Sequence, residues 1–210
     1  MYNFEEDKLA EGNLKQNHPW YEIVEVSEEL EQGDFVDNCE IFVPTYIPND
    51  STNDAFAYKV EIDSYRLNVV VINQSCDLGN NKGLDHVLVC LRKPSSAYKN
   101  PNMSMKQFYS SLEEIRKGQR YRHYMLHESN LQEYPCETQI VDLGSVFSVP
   151  YDIIKQMAKA HDKRLRLRSP YKEKLAQAFG YYYMRIGLPV DIPEFSAKTF
   201  AQTSTSVKVA

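Results

Sequence analysis

The sequence predicts an α+β fold, a small β-barrel with a helical insertion and C-terminal helices. Short β-branched and aromatic segments separated by turn-rich stretches recur from Trp20 to Val149. One helical pattern interrupts them between Ser104 and Lys117. From Tyr151 the apolar period becomes helical. With 210 residues, 42% hydrophobic and 25% charged, the composition is that of a soluble globular protein of one large domain, or of one with an appended subdomain.

The elements follow in order. Residues 1–19 are polar and acidic and read as a mobile leader without a signal-peptide core. Residues 20–150 form the barrel with its inserted helix. Trp20 to Val26 is a first strand, and Glu28 to Asp34 an acidic turn. Phe35-Val36 and Cys39 to Tyr46 are two extended segments, followed by a loop from Pro48 to Asp54. Tyr58 to Ile62 and the Val-rich run Asn68 to Ile72 are strands, and Asn80 to Gly83 connects to a strand from His86 to Leu91. After a loop from Pro94, Phe108, Leu112 and Ile115 mark a helix from Ser104 to Lys117 that stops at Gly118. Tyr121 to Leu126, Thr138 to Leu143 and Val146 to Val149 are extended. Residues 151–195 form a helical extension. It holds a helix from Tyr151 to Ala160 and another with Ser169 as N-cap and Pro170 at the first turn. Tyr171, Leu175, Phe179, Tyr182 and Ile186 make one apolar stripe on that helix, Arg185 flanks it as an ion-pair candidate, and Gly187 and Pro189 close it. Residues 196–210 are a flexible tail.

The strand Asn68 to Ile72 ends in Asn73-Gln74-Ser75-Cys76-Asp77, which gathers amides, a hydroxyl, a thiol and a carboxylate. Strand ends are common sites because a rigid core fixes the backbone there. Cys76 is a candidate nucleophile and Asp77 a candidate base, with Gln74 as a polarising donor. A thiolate needs a base or cation beside it, for which the sequence offers His86 and Arg66. The bland alternative has Ser75 and Asp77 capping a turn while Cys76 fills an apolar gap.

A second candidate is Lys163-Arg164-Leu165-Arg166-Leu167-Arg168 with Lys172. An extended backbone would place Arg164, Arg166 and Arg168 in one row able to grip phosphates. The alternative is a solvated face paired with acids on a chain of net charge -5. His123, His127, Cys136, Cys76, His86 and Cys90 lack the close pairs of a zinc site, and no cofactor or metal is implied. The four cysteines include no CxxC pair and read as thiols of a cytoplasmic protein. No apolar run of about 18 residues predicts a membrane span.

Gln32-Gly33-Asp34-Phe35-Val36, Tyr65-Arg66-Leu67-Asn68-Val69-Val70-Val71-Ile72 and Gly83 to Cys90 together resemble the MazF/PemK family, over Glu31 to Arg92. The resemblance implies an SH3-like barrel and a toxin–antitoxin or phage-defence setting in a bacterium or phage. It further implies metal-free RNA cleavage, with the roles falling on Arg66 and Ser75. Here Leu67 replaces the family's Pro after the arginine, and Asp77 adds an acid at the strand end. The first expectation is therefore an accessory binding module for nucleic acid or an acidic partner protein, compatible with a homodimer. The alternative is a MazF-like endoribonuclease or a hydrolase using Cys76 and Asp77.

Overall fold

The computed structural model describes residues 19–48, 58–79 and 84–184. The expected leader, most of the loop after Pro48, the Asn80 to Gly83 connection, Arg185, the helix close at Gly187 and Pro189, and the tail lie outside the described residues.

The chain is α+β. Its strands are β1 (Tyr21–Glu25), β2 (Phe35–Pro48), β3 (Tyr58–Val71), β4 (His86–Pro94), β5 (His123–Leu126), β6 (Gln139–Pro150) and β7 (Lys163–Leu167). The helices are α1 (Ser75–Gly79), α2 (Met105–Arg116), α3 (Tyr151–Lys159) and α4 (Tyr171–Tyr183), with a 3-10 turn at Ser95–Tyr98. One antiparallel sheet runs β2-β3-β4-β6-β5, and a two-stranded sheet pairs β1 with β7. Among the described residues no pairing joins β2 to β5, so the larger sheet is open and the expected barrel does not close.

Several predicted short strands are single long ones. Phe35-Val36 and Cys39 to Tyr46 belong to β2, interrupted by a bulge in which Asp37 and Asn38 face only Asn68. Asn38 takes φ 51, and its N–H donates to Asn68 Oδ1 at 3.0 Å. The bulge carries Asp37 to the buried Arg92 guanidinium, which also donates to Gln139 Oε1 at 3.0 Å and lies 4.1 Å from the Phe35 ring centre. Similarly, Tyr58 to Ile62 and the Val-rich run merge into β3. Val146 to Val149 extends the strand from Thr138 to Leu143, as read from the sequence, in β6.

Helix α2 matches its sequence signals. Ser104 Oγ accepts from the Gln107 N–H while Gln107 Oε1 accepts from the Ser104 N–H, and Gly118 follows at φ +69. Helix α4 begins one residue later than expected. Ser169 does not cap it; its hydroxyl donates instead to Glu173 at 2.6 Å.

The large sheet separates two cores. On one side Val36, Ile41, Val69, Val71, Val87 and Val89 pack against Leu78 of α1 and Ile154 and Ala158 of α3. On the other, Phe35, Val70, Cys90, Val141 and Leu143 meet Tyr21, Leu165 and Leu167 of the small sheet and Leu175 of α4. The stripe predicted on α4 faces this second core through Tyr171, Leu175, Phe179 and Tyr182.

Gly33 and Asp34 join the two sheets. The Gly33 N–H donates to Val71 O, and the Leu167 N–H donates to Gly33 O. Gly33 has φ +83, and a Cβ there would sit 2.8 Å from Leu167 Cβ, so conformation and close approach both require glycine.

Candidate functional site

The polar end of β3 turns straight into α1. The Leu88 N–H donates to Asn73 Oδ1, and the N–H groups of Asp77 and Leu78 donate to Gln74 O, closing the first turn at Ser75. Leu78 is buried beneath it while Cys76 and Asp77 are exposed. The cluster therefore sits on a short helix packed against the sheet, not on an extended strand end.

This turn forms one wall of a cleft of about 580 Å³. Gln74, Ser75 and Cys76 line it from α1 and the turn before it, Lys172, Glu173, Ala176 and Gln177 from α4, and Gln32 from the turn before β2. Gln32 is buried, and its Nε2 donates to Ile72 O at 2.9 Å. Ser75 Oγ accepts from the Gln32 N–H at 3.3 Å and donates to Glu31 Oε2 at 3.2 Å. Lys172 Nζ reaches the same carboxylate oxygen at 3.4 Å. Burial acts to raise the proton affinity of Glu31, but the charges of Arg166 and Lys172 outweigh it, and the carboxyl lies below its ordinary value.

The predicted catalytic residues are only partly brought together. Ser75 and Cys76 line the cleft, and the Cys76 thiol lies 3.6 Å from Gln74 Oε1 and 3.7 Å from Asp77 Oδ1. Arg66 is elsewhere. It lies exposed on β3 opposite Glu40, separated from Val71 by roughly 17 Å of extended chain. His86 begins β4 opposite Pro150 and does not line the cleft. A site joining Arg66, Ser75, Cys76 and Asp77 is thus corrected to Ser75 and Cys76 in the cleft, with Asp77 exposed on α1 outside its lining.

The basic stretch is corrected as well. Lys163 to Leu167 is extended, as the alternation requires, but Arg164 and Arg166 are buried. Leu165 and Leu167 face the second core, and the acidic turn between Glu25 and Asp34 covers the arginine face. Asp34, 0% exposed, accepts from Arg164 Nε at 2.8 Å and from Arg166 Nε at 2.5 Å. Arg164 also donates to the Glu28 and Glu29 carbonyls, and Arg166 to Glu29 O. Burial works against the Arg166 charge, but the hydrogen bond and charge of Asp34 outweigh it and raise its proton affinity. Arg168 is half-buried; its N–H donates to Trp20 O, and its carbonyl accepts from the first turn of α4. Of the four predicted nucleic-acid contacts, Lys172 alone lines the cleft.

The buried pairs and the cleft are continuous. Arg166 Nη1 lies 3.2 Å from Glu31, whose other carboxylate oxygen takes Ser75 and Lys172. Sequence reasoning did not assign Glu31, Gln32 or Gln177 to the site. The first two directly precede Gly33-Asp34 in the acidic turn from Glu28, which was the available signal. Gln177 lies two residues after Leu175 on the predicted helix, off the core stripe.

Among the described residues no group of three or more His, Cys, Asp or Glu side chains could hold a metal ion, and His123 belongs to a strand that ends before His127. No family model matches the chain, and no curated protein matches it.

Proposed function

We propose that this chain is a binding module and that the cleft between α1 and α4 receives an exposed segment of a partner protein. The lining carries this reading. Three glutamine amides, Gln32, Gln74 and Gln177, line the cleft with Ser75 and Lys172, which Glu31 links across it. An amide carries both donors and an acceptor, the complement of a peptide backbone. Gln32 gives its Nε2 to Ile72 O, and the charge of Lys172 is shared with Glu31 beside the lining Glu173.

Nucleic acid is the less favoured ligand, because binding it relies on cations that neutralise phosphates. Arg164 and Arg166 are committed to Asp34, and the net charge is -5. A MazF-like ribonuclease would need Arg66 beside Ser75, yet Arg66 lies exposed on β3 away from the cleft. A hydrolase would rest on Cys76, yet the residues lining the cleft include no histidine to activate it. The resemblance to MazF/PemK proteins supports a toxin–antitoxin or phage-defence setting and an SH3-like ancestry for the strands around Gly33-Asp34.

A photo-crosslinking side chain at Gln177, in cells of the native host, tests this. The expected product is an adduct with one protein, lost when Gln32 and Gln74 are both changed to Ala. A nucleic-acid adduct would overturn the proposal. So would turnover of RNA that Ser75→Ala abolishes, or of an ester that Cys76→Ala abolishes, in a folded protein.

A further inference from the structure

The β2–β3 ribbon projects beyond both cores, and its register decides what it presents. Cross-strand partners share a face, so Phe42↔Ser64, Pro44↔Ile62, Tyr46↔Val60 and Pro48↔Tyr58 lie on one side. The other side carries Val43↔Asp63, Thr45↔Glu61 and Ile47↔Lys59. The first side is therefore an apolar strip of Phe42, Tyr46, Tyr58, Val60 and Ile62, each at least half exposed, from Val60 at 50% to Ile62 at 68%.

We infer that the β2–β3 ribbon is a dimerisation arm, and that a second copy of this chain packs face to face on the strip of Phe42, Tyr46, Tyr58, Val60 and Ile62. Area argues for this occupant. At about 100–150 Å² of exposed surface per side chain, the strip offers on the order of 600 Å². That is at the upper end of the patch a monomer leaves uncovered. With its polar margin, Ser64 and the Glu40–Arg66 row, it approaches the roughly 800 Å² per partner of a stable interface. None of the five strip residues is charged, so nothing in the strip repels an identical copy.

The prolines select the mode of packing. A proline inside β2 is tolerated where its nitrogen faces away from β3, so Pro44 and Pro48 remove donors from the outer edge. Edge-to-edge pairing is blunted while the face stays open. The rows from Glu40↔Arg66 to Pro48↔Tyr58 are symmetric about Pro44↔Ile62. An antiparallel two-fold through Ile62 therefore lays Tyr58 of each copy over the Glu40–Arg66 row of the other, where its hydroxyl meets polar partners. The strip shares no residue with the α1–α4 cleft, so failure of either proposal leaves the other standing.

Light scattering on the full chain at micromolar concentration should give twice the 24.4 kDa chain mass. Phe42→Asp with Ile62→Asp should halve that mass with the circular dichroism spectrum unchanged, while Glu61→Lys on the opposite face should leave it dimeric. In a Cys76→Ala background, Ile62→Cys should form an intermolecular disulfide under mild oxidation and Lys59→Cys should not, a readout that does not depend on the aspartate variants folding. A wild-type chain of single mass with no Ile62→Cys crosslink would overturn the inference. So would a dimer that survives the double aspartate change, or a strip shielded only when a different protein is added.

Discussion

Asp34→Ala should be among the most damaging single changes in this protein. The carboxylate is fully buried and accepts from Arg164 Nε, from Arg166 Nε and Nη2, and from the Glu31 N–H at 3.0 Å. Removing it leaves two guanidinium groups in a space that is 3% and 5% accessible without their shared counter-charge, both with backbone carbonyls and Arg166 also with the part-exposed Glu31 and Glu28 carboxylates. Breaking a buried pair by deleting one partner costs about 3–5 kcal/mol. For a chain of this size each kcal/mol moves the midpoint by about 2–4 °C, so the melting temperature should fall by roughly 6–20 °C. Asp34→Asn keeps an acceptor and loses only the charge, and should fall between wild type and Ala. Urea unfolding followed by far-ultraviolet circular dichroism measures the cost. Because Asp34 and Arg166 act together, their combined loss (Asp34→Ala with Arg166→Met) should cost about 0.5–3 kcal/mol less than the two single losses added. A cost for Asp34→Ala within about 0.5 kcal/mol of zero, the range of ordinary surface changes, would refute this account of the basic strand. Strict additivity of the pair would refute it too.

Gly33→Ala should destabilise the fold by roughly 2–4 kcal/mol, from a strained positive φ and overlap with Leu167, read from the same urea curves. Thiol labelling of the native protein should modify Cys76 first. Cys39 and Cys90 should react only on unfolding, since burial pushes their thiols up to about 11 and about 12, Asp142 adding to the effect at Cys90. Glu31, with a folded value below its ordinary 4.5, contributes stability that is fully present above that pH and is lost as pH falls through the folded value. Glu31→Gln should therefore lower the melting temperature near neutrality and flatten its decline below about pH 4.5; an unchanged acid limb would contradict the Ser75–Glu31–Lys172 link.

Much of the secondary structure was legible because it depends on local chemistry. The capping box at Ser104, the Val-rich run of β3 and the apolar stripe of α4 each carry their signal within a few residues. The joining of short strands was less legible, since one bulge at Asp37-Asn38 breaks the alternation that marks a single strand. The candidate site was half legible. Ser75 and Cys76 stood out by type, while Gln32, Lys172 and Gln177 reach the cleft only because α4 and the Gly33 turn pack beside α1.

The sequence by itself determined that Lys163 to Leu167 alternates charge with leucine, so that an extended backbone would put its arginines on one face. That the segment is a strand was decided by its pairing with β1. The sequence also placed Gly33 in a short acidic turn from Glu28 to Asp34. Tertiary structure alone decided which faces meet water. An arginine row reads the same whether it grips phosphate or neutralises a buried acid, and the acid that settles it, Asp34, is 130 residues from Arg164. The ribbon reverses the case: Phe42, Tyr46 and Ile62 are apolar residues of predicted strands, yet their face of the β2–β3 pair extends past the point where the small sheet and α4 cover it. Burial depends on which distant element packs on a face, and that choice is made by the whole chain.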